Sequence, residues 1–233
     1  MRNLKRTLSL ALASVMLVGM MSVGASAVNA SDFTDADEIV NKDAVSTMTA
    51  LGIINGKEDG SYFDPTGNVT RAEMAKMLCV AINGGVDPVL GVKDTPTFTD
   101  IKGHWAESYI EYCAANGIIA GRGNNKFDPT GTVSATEAAK MLLGVLGYNA
   151  EKSGLVGNDW AINTNVLANQ NGLYKNLSNL NANTLLTRDN AAQMIYNALD
   201  ANMVELNAAG NYTTSQYSYT GTESVVTGTE RVW

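Results

Sequence analysis

The sequence predicts a mainly α fold: three tandem helix-loop-helix repeats packed as a pseudo-threefold bundle, with short extended segments in the loops. Three observations predict it. First, one apolar stripe at i, i+3, i+4, i+7 is written three times. It runs Met74, Met77, Leu78, Ala81, then Ala138, Met141, Leu142, Val145, then Ala191, Met194, Ile195, Ala198. Second, each stripe follows a hydroxyl-bearing helix start: Val69-Thr70-Arg71-Ala72-Glu73, Val133-Ser134-Ala135-Thr136-Glu137 and Leu186-Thr187-Arg188-Asp189-Asn190. Third, each unit contains an earlier helix closed by glycine, at Leu51-Gly52-Ile53-Ile54-Asn55-Gly56, Asn116-Gly117-Ile118-Ile119-Ala120-Gly121 and Asn171-Gly172-Leu173-Tyr174. Neither helix of such a unit can bury its stripe alone, so units must pack on one another, with three of six main helices at the centre.

In chain order, Arg2, Lys5 and Arg6 precede an apolar run from Leu8 to about Met21 and the small residues Ala25-Ser26-Ala27. Residues 1–27 therefore read as a secretory signal peptide, with cleavage after Ala27 or after Ala30. The run is short for a membrane span and no second one follows, so no membrane insertion is expected after cleavage. The formal charge is −7, and loss of those three basic residues takes the mature chain to about −10. Such a chain does not attract nucleic acid or other anionic polymers by net charge. An anion would need placed arginines.

The first repeat covers 31–84. Its acidic opening lacks the loop spacing of an EF-hand and reads as the start of a helix from about Ile39 to Leu51. Asp35, and Asp100 in the second repeat, either contact a ligand or cap these first helices; capping is the expectation. Gly52 supplies a left-handed cap. Ile53 and Ile54 tuck under the core, Phe63 plugs it, and Asp64-Pro65 with Gly67 turns the chain. Thr70 and Glu73 form a capping box. After a turn-rich connector, the second repeat (96–148) repeats this with Phe127, Asp128-Pro129 and Ser134/Glu137. The third (156–201) is divergent. It keeps Trp160 at the position of Trp105 but replaces the Phe-Asp-Pro turn by Leu180 to Thr184. Residues 202–233 are polar and read as a strand pair, a linker or the start of a further domain. Cys79 and Cys113 read as small buried hydrophobes; the alternative in an exported protein is a disulfide, and spacing alone cannot say whether they meet.

Capping accounts for Thr70 and Glu73 but leaves Arg71 unexplained. A cation in the first helical turn opposes the helix dipole by a few tenths of a kcal/mol. Beside free helix N–H groups it makes an anion site; the alternative is a solvated or structurally paired arginine. On the anion reading, Arg71→Ala and Arg188→Ala weaken binding with little change in melting temperature. Lys57 and Arg122 either face the same groove or are solvated loop cations. Trp105 and Trp160 either cover a sugar face or fill the core. The single histidine, His104, reads as structural. No metal cluster, nucleophile elbow or histidine pair is written in the chain, so neither an enzyme nor a cofactor is expected.

The second unit opens Phe98-Thr99-Asp100-Ile101-Lys102-Gly103-His104-Trp105-Ala106, and the first carries Gly52-Ile53-Ile54-Asn55-Gly56 through Val69-Thr70-Arg71-Ala72-Glu73. Three tandem copies of this kind resemble S-layer homology (SLH) modules over about residues 31–200. The resemblance implies a three-pronged spindle, secreted to the bacterial cell wall or S-layer. It implies non-covalent binding of secondary cell-wall polysaccharide, typically pyruvylated, in grooves between prongs. The residues it implies are Arg71, Arg188, Trp105, Trp160, Glu73, Glu137, Lys57, Arg122, Gly56 and Gly121. Three positions depart from the pattern: Ala135 for the arginine, Val40 for the tryptophan and Asn190 for the glutamate. Because grooves lie between neighbours, a complete set can still assemble from different units. The alternatives are a structural protein whose modules assemble an array with other surface-layer proteins, or the anchor fragment of a larger surface enzyme.

Overall fold

The computed structural model describes residues 28–177, 180–181 and 183–214. The expected signal peptide lies outside the described residues, as does the tail from 215 onward. The described chain is mainly α. Its helices are α1 (Lys42–Ala50), α2 (Arg71–Ile82), α3 (Glu107–Ala115), α4 (Ala135–Val145), α5 (Trp160–Gln170) and α6 (Arg188–Leu199). Among the described residues, no helix is long and apolar enough to cross a membrane.

The local signals act as their chemistry dictates. Thr70 Oγ1 accepts from the Glu73 N–H at 3.2 Å, and the Glu73 carboxylate accepts from the Thr70 N–H at 2.8 Å. Ser134 and Glu137 repeat the exchange at 3.2 and 2.9 Å. Thr187 caps the Asn190 N–H at 3.2 Å, but the third start is not a reciprocal box. Gly52, Gly117 and Gly172 end the first helices at φ of 70°, 71° and 70°, the left-handed region where a side chain is strained. Helix α1 begins later than its pattern suggests, because a 3-10 turn at Ala36–Glu38 and the extended, buried Ile39 precede it.

The second helices start around a closed ring of backbone hydrogen bonds. The Val69 N–H donates to Leu186 O (2.9 Å), the Leu186 N–H to Val133 O (2.8 Å), and the Val133 N–H to Val69 O (2.9 Å). Helix α4 packs on both α2 and α6. The first helices cover the preceding unit rather than their own: α3 lies on α2, α5 on α4, and α1 reaches across to α6. Asn41 seals that closure, donating to Asp189 from its N–H (3.1 Å) and from Nδ2 (2.6 Å).

Phe63 and Phe127 are fully buried, packed against Phe33 and Phe98 at ring distances of 5.2 and 5.5 Å. The expectation for Asp35 and Asp100 needs correction. Neither caps a first helix. Asp35 accepts from the N–H groups of Phe63 (3.0 Å) and Asp64 (2.7 Å), and Asp100 from those of Phe127 (2.9 Å) and Asp128 (2.8 Å). Each turn presents two adjacent N–H groups to this carboxylate, and a carboxylate satisfies both. The described part of the tail is a strand pair: Val204–Leu206 runs antiparallel to Tyr212–Thr214. It docks on the second unit through the Val204 N–H to Leu146 O (2.8 Å) and the Tyr148–Tyr212 ring pair (5.2 Å).

Candidate functional site

Because each first helix covers the preceding unit, three units contribute to every inter-unit groove. Groove 1 combines the loop after α1, the polar flank of α2, the residue before α3 and the start of α6. Its cleft is lined by Asn55, Glu73, Lys76, Trp105 and Arg188, among others. Trp105 is 56% exposed, braced by His104 and Tyr109 at ring distances of 5.4 and 6.4 Å. Arg188 Nε donates to Phe63 O (2.7 Å) and Nη2 to Asn55 O (2.8 Å), with the guanidinium 5.0 Å from the centre of the Phe63 ring. Its Nη1 has no protein partner among the described residues. Burial lowers the Arg188 pKa, and Glu73 is the strongest charge opposing that shift.

Groove 2 is the same arrangement one unit on. Arg71 Nε donates to Phe127 O (2.7 Å) and Nη2 to Ala120 O (2.7 Å), while Nη1 stands 3.5 Å from Glu137. Burial pushes its pKa down to about 10. Lys140 Nζ lies 5.2 Å from the Trp160 ring centre, and its pKa is lowered first by burial and then by Arg71. Groove 2 differs in its ion pairs: Lys76 of groove 1 pairs with Asp87 at 3.0 Å, and in groove 2 the glutamate is the paired group. Arg122 forks onto Glu137 at 2.7 and 2.9 Å and onto Asp128 at 2.6 Å. Burial works to raise the Glu137 pKa, but the Ser134 N–H and Arg122 outweigh it and hold it low. Glu73 makes no such pair; its Oε2 serves the Thr70 N–H and hydroxyl.

Groove 3 lies between the loop after α5, the start of α4, the flank of α6 and the residues before α1. There the arginine position is Ala135, the tryptophan position is the 82% exposed Val40, and the glutamate position is Asn190. The counterpart of Lys76 and Lys140 is Gln193. The three departures scattered over three units therefore converge on one groove. Asn197 takes over one of the carbonyls an arginine would hold, that of Lys175 (2.7 Å), the counterpart of Asn55 and Ala120; it also donates to Leu173 O (3.1 Å), and Gln193 Nε2 donates to Asn197 Oδ1 at 2.8 Å.

Several expectations change. Arg71 and Arg188 are not open cations: they are 3% and 5% exposed and hold a neighbouring unit's loop. Their truncation therefore costs stability, contrary to the expected small change in melting temperature. Helix N–H groups are not available to an anion either. Those of Arg71 and Ala72 donate to Gly131 O (2.8 Å) and Pro129 O (3.0 Å), and those of Arg188 and Asp189 to Gly67 O (2.9 Å) and Pro65 O (3.1 Å). Lys57 is tied to Asp64 at 2.8 Å and Arg122 to the acids above, so neither is a free loop cation. Gly56 and Gly121 let a loop close on itself: a Cβ would stand 2.3 Å from Gly60 O and 2.6 Å from Lys126 O. His104 is structural as expected, its Nδ1 accepting from the Ala106 N–H at 3.2 Å. Sequence reasoning missed Lys76 and Lys140. Their signal is position: each follows the box glutamate by three residues, on the same helix flank.

Residues 32–75 and 97–139 match the S-layer homology domain. Among curated relatives, a cell surface protein of Thermoanaerobacter kivui is 28% identical over 207 residues, covering 88% of this chain and 26% of the relative. An S-layer protein of Bacillus licheniformis is 32% identical over 48% of this chain and 12% of the relative. Exoglucanase XynX of Acetivibrio thermocellus is 29% identical over 63% of this chain and 14% of the relative. The chain thus spans about a quarter or less of the length of these relatives.

Proposed function

We propose that this chain is a bacterial cell-surface anchor that holds wall polysaccharide non-covalently in grooves 1 and 2, with groove 3 unused. The observation that carries this reading is the groove 1 cleft. A buried guanidinium with one unpartnered nitrogen, a lysine, a carboxylate and an exposed tryptophan meet there from three units. That set suits a sugar bearing a carboxylate. Arg188 Nη1 takes the acid, joined by Lys76 once it releases Asp87, its partner at 3.0 Å in the same cleft; Trp105 covers the apolar face of the ring, and Glu73 accepts from a hydroxyl. A secondary cell-wall polysaccharide with a terminal pyruvate ketal has this chemistry. In groove 2 the same roles fall to Arg71, Lys140, Trp160 and Glu137, with Arg122 first having to release Glu137.

Residues 156–201 are a third, divergent repeat on this reading, and the three units form a pseudo-threefold bundle. The hydrogen-bond ring through Val69, Leu186 and Val133 and the three equivalent glycine caps support it. The similarity to long proteins, one of them named as an exoglucanase, supports an anchoring part that serves different cargoes rather than an activity of its own.

The test is co-sedimentation of the chain with purified cell walls, before and after mild acid removal of pyruvate ketals. Binding should be lost with the ketals. Binding that survives their removal would rule out carboxylate recognition, and release of soluble sugar on incubation would rule out a purely binding role.

A further inference from the structure

The chain has two cysteines, and neither lines the groove 1 cleft. Cys79 on α2 and Cys113 on α3 are buried, with their Sγ atoms 3.3 Å apart. Cys79 Sγ also donates to Tyr109 O (3.5 Å) and Cys113 Sγ to Ala75 O (3.6 Å), so the two thiols are held facing each other between units. The equivalent contact between α4 and α5 is filled by Leu143 and Ala168, both buried. The fold therefore needs only apolar volume here. The first interface carries two facing sulfurs instead.

We propose that Cys79 and Cys113 become joined by a disulfide as the chain folds in an oxidising medium, tying α2 of the first unit to α3 of the second beside groove 1. The medium follows from the cell-surface reading above; the geometry does not depend on it. The oxidant is a low-molecular-weight disulfide. Its S–S bond breaks and the Cys79–Cys113 bond forms. Two electrons pass to the reagent sulfurs, and the two thiol protons end on the released small thiols. Exchange needs an accessible thiolate. In the folded chain the hydrogen bond to Cys79, and then burial, hold the Cys113 thiol protonated. The bond is therefore made before the interface closes, and the closed interface shields it from reductants.

The test is to unfold and reduce the purified chain, refold it in mixed oxidised and reduced glutathione, and alkylate it under denaturing conditions before mass analysis. The expected product takes up no alkyl group and is lighter than the reduced chain by two hydrogens. Its melting temperature should exceed that of the reduced chain by ~5–10 °C. A Cys113→Ala variant, which places there the alanine that the second interface carries at Ala168, should fold and lose this redox-dependent shift. Two alkyl groups on most refolded molecules would overturn the proposal, as would glutathione adducts or cross-linked dimers in place of the internal bond. An unchanged shift in Cys113→Ala would do the same.

Discussion

Grooves 1 and 3 occupy equivalent places in the fold, yet one gathers charge and an exposed indole and the other gathers alanine, valine and amides. The backbone around them is alike: a left-handed glycine closes the helix before each loop, and a hydroxyl caps the helix after it. The difference teaches that the fold does not require the arginine. It requires donors for the loop carbonyls. Arg188 supplies them in groove 1 for Phe63 and Asn55; in groove 3 Asn197 supplies one for Lys175, the counterpart of Asn55, and another for Leu173, the counterpart of Ile53. An arginine satisfies the loop and still has a nitrogen to spare. An asparagine fixed by Gln193 and two carbonyls does not offer a cation.

The strongest way to break this comparison is Arg188→Ala. It removes two charge-assisted hydrogen bonds and leaves two carbonyls short of a donor. We expect a loss of about 3 kcal/mol in chemical denaturation together with loss of wall binding. Unchanged stability would return Arg188 to the role of a free ligand residue. Asn197→Ala comes next, at about 2 kcal/mol, with wall affinity of the folded protein unchanged. If binding falls as well, groove 3 is in use. Trp105→Ala should weaken binding about tenfold, near 1.4 kcal/mol, with stability kept, because the indole is largely exposed. Val40→Ala at the same position of groove 3 should leave the affinity as it is.

The smallest effect concerns pH. The folded-state pKa of Glu137 is depressed, so folding favours its ionised form. Its contribution is fully present above the unfolded value near 4.5 and is lost as pH falls through the lower folded value. Comparing melting temperatures of the native chain and Glu137→Gln between pH 6 and 3, the gap should be largest at pH 6 and close toward pH 3. A gap that does not vary with pH would mean the carboxylate charge contributes nothing there. The expected size is about 1 kcal/mol, the usual worth of a cap.

Much of the fold was legible because it rests on local chemistry. The stripe, the glycine caps and the Thr70/Glu73 and Ser134/Glu137 boxes are set by contacts within a few residues, and sequence spacing reports these directly. Asp35 and Asp100 were misplaced because their partners lie 28 and 27 residues further along at Phe63 and Phe127, beyond the reach of capping logic. Arg71 looks surplus to the capping box for the same reason: its partners Ala120 and Phe127 belong to another unit. Lys76 and Lys140 carried no signal of their own, since a lysine on a helix flank is ordinarily solvated.

The sequence by itself determined the secondary structure, the repeat and which residue types were offered to the grooves, because hydrogen-bond periods and capping act over one or two turns. Only the tertiary structure decided which residues meet. By laying each first helix on the unit before it and bringing α1 back to α6, the packing places Arg188 with Trp105 and Glu73, and sends Ala135, Val40 and Asn190 to one place. The physical reason is burial: each stripe must find a partner outside its own unit, and that choice of partner is a property of the closed assembly of helices, not of any one repeat.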